Sequence, residues 1–111
     1  MKLFEITLPQ RTNAGQFYTH ALAAWENYAA MLAGGFTRLA PCDGVWLDGN
    51  KRYHDTVIKY QVACAPGLFL ALREKAFDLF PDQVAIMTAE LGTADITYRT
   101  ARAVSTAREV A

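Results

Sequence analysis

Apolar and polar residues alternate at the start of the chain, in the segment KLFEITL. Side chains of a strand point alternately to its two faces, so Phe4, Ile6 and Leu8 would share one face. Proline has no backbone N–H to donate to a sheet. The pattern therefore predicts a first strand that ends at Pro9.

The same alternation recurs over YHDTVIKYQVAC, residues 53–64. Its even-numbered residues are the more apolar set, and they are predicted to face the core. The shorter segment DGVWL precedes it, and DGNKR between the two supplies the Gly and Asn that a tight reversal favours. The two segments are therefore predicted to form a β-hairpin.

Helical spacing of apolar residues predicts a first helix over residues 16–33. Asn13 is predicted to cap its N-terminus, with Gln16 completing a weak capping box. Gly34 stands where the end of a helix requires a left-handed residue. The apolar positions lie three or four residues apart and are Phe17, Ala21, Ala24, Tyr28 and Met31.

A second helix is predicted over GLFLALREKAFDLF, because Pro66 suits its first position and Pro81 stops it. Two buried stripes remain open for this helix. One contains Leu68, Leu72, Ala76 and Leu79, and the other is the neighbouring stripe through Phe69.

Beyond the second helix, QVAIMTA is predicted to be a strand, ELGT a turn, and ADITYR an additional, weaker strand. The order strand, helix, strand, strand, helix, strand is that of the ferredoxin-like α+β fold. Two helices would then cover one face of an antiparallel sheet. We predict one domain over residues 1–99, followed by a tail over residues 100–111 that is either a frayed helix or a disordered end.

The face of the sheet without helices is predicted to carry a mixture of apolar and polar side chains. Such a surface favours contact with a partner, and we predict a homodimer through this face or through a sheet edge. The residues of this predicted open face are Leu3, Glu5, Thr7, Tyr53, Asp55, Val57, Lys59 and Gln61.

Charge and composition exclude several classes of function. Eleven basic and eleven acidic residues give a net charge of zero, which predicts no strong attraction to nucleic acid. We see no run of about eighteen apolar residues and no signal peptide, so neither membrane insertion nor export is predicted. Two cysteines do not make a disulfide framework. We expect a cytoplasmic protein with reduced thiols.

Neither metal nor nucleophilic chemistry is predicted. His20 and His54 lie far apart, and Cys42 and Cys64 form no Cys-x-x-Cys pair, so no zinc-type ligand set is present. No Gly-x-Ser-x-Gly elbow occurs. The glycine pair of GGFT follows a helix and so lies at its negative end, which disfavours a phosphate site. We predict no cofactor.

Aromatic and polar residues are concentrated around the predicted hairpin. Trp46 and Tyr53 come from strands that pair, so they are predicted to lie near each other. Flat rings beside a carboxylate can bind a planar ligand by stacking and hydrogen bonding, although the same rings can also fill a core. The group comprises Phe36, Trp46, Tyr53, His54, Asp55 and Tyr60.

The segment GGFTRLAPCDGVWLDGNKRYHDTVIKYQVAC, with the later DQVAIMTA, resembles a group of short proteins of phages and bacterial mobile elements. Those proteins share a GGFT, a G-x-W, a glycine turn, a Tyr/Asp pair and a Gln-led strand. Val84 departs from the pattern, because many of them have Glu there. The resemblance implies a phage accessory protein of ferredoxin-like fold, with Gln83 and Asp55 as the first polar site residues. The matching residues are Gly34, Gly35, Phe36, Thr37, Gly44, Trp46, Tyr53, Asp55 and Gln83.

Our leading hypothesis is a non-enzymatic phage or mobile-element protein in the cytoplasm of a bacterial host. It would block a host defence protein, or sequester a nucleotide-like ligand with the aromatic group and Gln83. The alternative is a dimeric α+β-barrel enzyme or carrier with a pocket near His54, Tyr60 and Asp55. A third hypothesis is a structural subunit of a phage particle.

Overall fold

The computed structural model describes residues 1–99. Five strands form one antiparallel sheet, and two helices form a layer against it. The sheet order is β2-β4-β1-β5, and β3 pairs with β4 beyond the end of β2. The ferredoxin-like α+β prediction is therefore confirmed. In chain order the elements are β1 (Lys2–Pro9), α1 (Thr19–Ala33), β2 (Thr37–Arg38), β3 (Cys42–Asp48), β4 (Lys51–Cys64), α2 (Pro66–Leu79) and β5 (Thr88–Thr93).

The core lies between the two helices and the paired strands β1 and β4. Ile6 is opposite Tyr60 in the antiparallel register, and both side chains are fully buried. The even-numbered residues of β4 from position 58 onward face this core, as predicted. The indole N–H of Trp25 on α1 donates to the Leu72 carbonyl of α2 at 3.0 Å, which ties the two helices together. The second helix buries Phe69 together with Leu72 and Ala76 of the other predicted stripe, so its buried face combines the two alternatives, whereas Leu68 is exposed.

The β3–β4 hairpin projects beyond the helical layer. β4 has 14 residues and β1 has 8, so β1 pairs with β4 only over residues 57–64. Residues 51–56 of β4 pair with β3 alone. The radius of gyration is 15.9 Å, whereas a compact domain of this size has about 13 Å. The projecting hairpin makes the protein elongated.

The first helix begins later than predicted. Tyr18 occupies the N-cap position and makes no side-chain cap bond, so the predicted capping box of Asn13 and Gln16 does not form. Asn13 instead bonds across to Asp82, with its backbone N–H 2.9 Å from the carboxylate. The C-terminal prediction is confirmed, because Gly34 has φ of 86° and its N–H donates to the Ala30 carbonyl.

The last strand is displaced from its predicted position. β5 includes the ELG that was predicted to be a turn, and QVAIM before it is not a strand. Pairing with β1 overrides the local turn signal, since Ile6 is opposite Thr88 and Phe4 is opposite Glu90. ADITYR is not a strand either. The short β2 was not predicted, and the predicted tail over residues 100–111 lies outside the described residues.

The face of the sheet opposite the helices is only partly open. Glu5 accepts a bond of 3.3 Å from the Gln61 amide and lies 3.9 Å from the Lys59 ammonium. Thr7 and Val57, both predicted on the open face, are buried there. The hydroxyl oxygen of Thr7 has no hydrogen-bond partner among residues 1–99. A buried polar group without a partner lowers stability.

We therefore expect Thr7→Val to raise the free energy of unfolding by about 1 kcal/mol, because valine has the same shape without the unpaired hydroxyl. Urea unfolding monitored by circular dichroism measures this change. Thr37→Val on the exposed strand β2 is the control, and we expect it to change stability by less than about 0.5 kcal/mol. A loss of stability in Thr7→Val would contradict the prediction.

Candidate functional site

The seven residues predicted to bind a ligand lie in three separate places. Phe36 and Tyr60 belong to the region beneath α1, where their rings contact at 5.5 Å between centroids. Tyr60 is fully buried and also packs against Trp25 at 4.7 Å. For these two aromatic residues the structure shows core packing, the alternative that the sequence left open.

Four of the predicted residues lie on the projecting hairpin. Trp46 is directly opposite Tyr53 in the β3–β4 register, so the expected proximity of these two residues is confirmed. Asp55 lies on the same face of the hairpin, and His54 lies on the other face, because side chains alternate along a strand. All four are exposed. His54 and Asp55 therefore do not converge on a common point with Tyr60.

Gln83 lies in the loop just after α2. Its amide is 3.3 Å from the Asp82 carboxylate and 3.4 Å from the Asn13 side-chain oxygen. These bonds connect the loop after α2 to the loop before α1. The structure does not bring Gln83 to the hairpin.

A polar cluster that the sequence did not predict joins α1 to the edge of the sheet. The Tyr60 hydroxyl donates to Oε2 of Glu26 at 2.5 Å, and Nη1 of Arg38 lies 3.1 Å from the same oxygen. Glu26 is the one Asp, Glu, Lys or Arg in α1, a signal that was available in the sequence. Its partners come from β2 and β4, and only the tertiary fold identifies them.

Burial has a large effect on the chemistry of this cluster. It raises the pKa of Tyr60 far above the ordinary tyrosine value, and the hydrogen bond and negative charge of Glu26 raise it further. The hydroxyl therefore remains a protonated donor at neutral pH and does not act as a general base. Burial also raises the pKa of the Cys64 thiol, which agrees with its predicted place in the core.

Glu26 and Arg38 of this cluster line a half-open groove between α1 and the sheet edge. The groove has a volume of 310 Å³, which is at the lower end of the range of small-molecule sites. Its polar lining includes Gln10, Thr19, Glu26 and Arg38, and its apolar lining includes Phe17, Leu22 and Ile58.

No metal centre is formed by one chain within the part that the structure describes. Residues 1–99 contain no group of three or more His, Cys, Asp or Glu side chains placed to hold one ion. Nor does any helix of these residues combine the length and the apolar character needed to cross a membrane.

The architecture is similar to solved structures of CutA1 proteins. The divalent cation tolerance protein CutA1 of Thermus thermophilus superposes with a TM-score of 0.65 at 14% identity, with 86% of each chain covered. CutA1 of Oryza sativa gives 0.61 at 14% identity, over 86% of this chain and 82% of that one. The PII-like protein CutA of Nostoc sp. PCC 7120 gives 0.55 at 11% identity, over 82% and 79%.

This chain has the CutA1 fold. No protein-family model and no curated protein matches the sequence. At such low identity the structural likeness shows the fold and nothing finer. The resemblance to short phage proteins is untested by these comparisons and stays a prediction.

The leading functional hypothesis is wrong. The structures compared above are CutA1 proteins, and the proteins of Thermus thermophilus and Archaeoglobus fulgidus are named divalent cation tolerance proteins, a role that is neither a block of host defence nor sequestration of a nucleotide-like ligand. The α+β-barrel alternative is not supported either, because His54 and Asp55 are exposed on opposite faces of the hairpin while Tyr60 is buried.

The raised pKa of Tyr60 predicts a stability change at alkaline pH. An unfolded tyrosine loses its proton at about pH 10, whereas the folded protein keeps the Tyr60 proton to higher pH. The stabilisation from Tyr60 is therefore complete below about pH 10 and is lost as the pH rises above it.

We expect Tyr60→Phe to flatten the fall in the free energy of unfolding between about pH 9 and 11. Urea titrations of both proteins across this range measure the difference in slope. Tyr98→Phe, at an exposed position, is the control and should keep the wild-type slope. Equal slopes for wild type and Tyr60→Phe would show that Tyr60 titrates with an ordinary pKa.

Proposed function

We propose that this protein is a homo-oligomer that acts in divalent cation tolerance, the role for which several proteins of the same fold are named. The observation that carries the proposal is the shared fold over 86% of both chains in the Thermus comparison. The exposed apolar residues of the projecting hairpin support the proposal that several copies assemble. The positions of Cys, Asp and His side chains on the hairpin support a cation site that is shared between copies.

The hairpin exposes large apolar side chains on both of its faces. Leu47 is 74% exposed and lies on the face that continues the core side of the sheet, together with Val45. Trp46 and Tyr53 are 43% and 46% exposed on the other face. Exposed apolar surface of this kind is typical of a protein contact. Because both faces carry it, the partner must enclose the hairpin.

A second copy of the chain is the partner that we propose. Among residues 1–99, β3 pairs with β4 on one side and with no strand on its other side. A free strand edge can add a strand from another chain through backbone hydrogen bonds. The sequence predicted a contact between copies through a sheet face or a sheet edge, and we now propose the projecting hairpin as the place of that contact.

Side chains that can bind a divalent cation are present on the hairpin, but too few converge within one chain. Cys42 and Asp55 lie on the same face of β3 and β4, and Asp43 and His54 lie on the other. Because residues 1–99 form no cluster of three such ligands, a cation site would combine side chains of two or more copies. Cation binding should then depend on assembly.

Leu47→Asp should convert the assembly to a monomer, because a carboxylate would have to be buried at the contact. Light scattering coupled to gel filtration measures the mass of the particle, and a single chain has a mass of 12.3 kDa. Met31→Asp is the matched control, since Met31 is an exposed apolar residue of α1, away from the hairpin. A wild-type protein that is monomeric at all concentrations would contradict the proposed assembly.

The same pair of variants tests the cation function. Cells that produce the wild-type protein should grow at higher Cu²⁺ concentrations than cells with an empty vector, and Met31→Asp should protect equally. Leu47→Asp should give no protection. Calorimetric titration of the purified proteins with Cu²⁺ should show saturable binding to the assembly only. If wild type neither protects nor binds Cu²⁺, the proposed role in cation tolerance is wrong.

A further inference from the structure

The groove between α1 and the sheet edge contains an ion pair against an apolar wall. Glu26 comes from the middle of α1 and Arg38 from β2, and their charged atoms are 3.1 Å apart. These are the two formally charged residues among those that line the groove. The lining therefore pairs one negative with one positive group, and a further positive group, Arg11, lies beside the ring of Phe17.

Each member of the ion pair keeps unused hydrogen-bonding capacity. Both bonds to the Glu26 carboxylate, from Arg38 and from Tyr60, end on Oε2 and leave Oε1. Arg38 uses Nη1 in this contact, and its side chain is 58% exposed, so its other N–H groups are accessible. The side chain of Glu26 is 21% exposed and lines the groove.

We propose that this groove binds a free α-amino acid with an apolar side chain. An α-amino acid is a zwitterion whose ammonium and carboxylate groups are adjacent. Its ammonium can donate to Oε1 of Glu26 while its carboxylate accepts from Arg38, so that the two dipoles lie antiparallel. A lone anion or a lone cation satisfies one member of the pair and is repelled by the other.

The apolar wall supplies the place for the ligand side chain. Leu22 of α1 and Ile58 of β4 are mostly buried and form the inner part of this wall. Phe17 forms the outer part and is 58% exposed, with the Arg11 guanidinium 4.5 Å from its ring centroid. An apolar side chain placed here covers the exposed ring of Phe17. The volume of 310 Å³ accommodates a leucine or a phenylalanine.

The groove differs from the contact proposed for assembly. The groove lies where β1 ends and α1 begins, and the hairpin extends beyond that point. An amino-acid site is therefore independent of the proposed function, and either proposal can fail without the other.

Calorimetric titration of the full-length wild-type protein with L-phenylalanine and with L-leucine tests the proposal. Two analogues provide the decisive comparison: 3-phenylpropionate lacks the ammonium group, and phenethylamine lacks the carboxylate. We expect saturable binding of the amino acids at about 1 mM or below. Removing either charge from the ligand should weaken binding at least about tenfold.

Glu26→Gln and Arg38→Gln should each weaken amino-acid binding at least about tenfold. Arg73→Gln is the matched control, because Arg73 is a partly exposed arginine of α2 that is paired with Glu74 away from the groove. Circular dichroism and light scattering establish that each variant keeps its fold and its assembly state. For variants that do not fold, the two ligand analogues still decide the question on wild-type protein.

Three results would overturn the proposal. The first is absence of saturable binding of both amino acids to wild-type protein. The second is binding of 3-phenylpropionate or phenethylamine as tight as that of L-phenylalanine, which would show that the groove recognises a single charge or an aromatic ring. Unchanged L-phenylalanine binding by a folded Arg38→Gln protein would place the ligand elsewhere.

Discussion

The pairing of a short strand with a long one determines the rest of this structure. β1 ends at Pro9, which is opposite Val57, whereas β4 extends to Lys51. The paired part of β4 lies under the helices and builds the core. Residues 51–56 of β4 have no partner in β1 and no helix to cover them, and they form a hairpin with β3. The groove opens at the same boundary, where Gln10 and Ile58 lie beside the start of α1.

The difference in length between β1 and β4 explains which parts of the fold could be predicted from the sequence. Alternation in β1 and β4 identified the strands and the core face, because a strand with one buried face has a strict period of two. Gly34 marked the end of α1 for a local reason, its left-handed backbone. β5 was misplaced because its bounds depend on pairing with β1. The ELG within it has a turn composition that a non-local contact overrides.

The candidate site was harder to predict, because alternation is the same in both halves of β4. Tyr60 and His54 share a face, but Tyr60 lies beneath α1 and His54 lies beyond it. Periodicity cannot show where the helical cover ends. Glu26 and Arg38 belong to different elements, and their contact depends on how α1 packs over the sheet. The single charge in α1 was visible in the sequence, whereas its partners were not.

In the proposed assembly, the uncovered hairpin is buried by another copy of the chain. Acrylamide quenching of tryptophan fluorescence at increasing protein concentration tests it directly, because the two tryptophans differ in exposure. Trp25 is fully buried and Trp46 is 43% exposed in one chain. We expect the quenchable fraction from Trp46 to disappear as the protein associates. An accessible Trp46 at every concentration would contradict it.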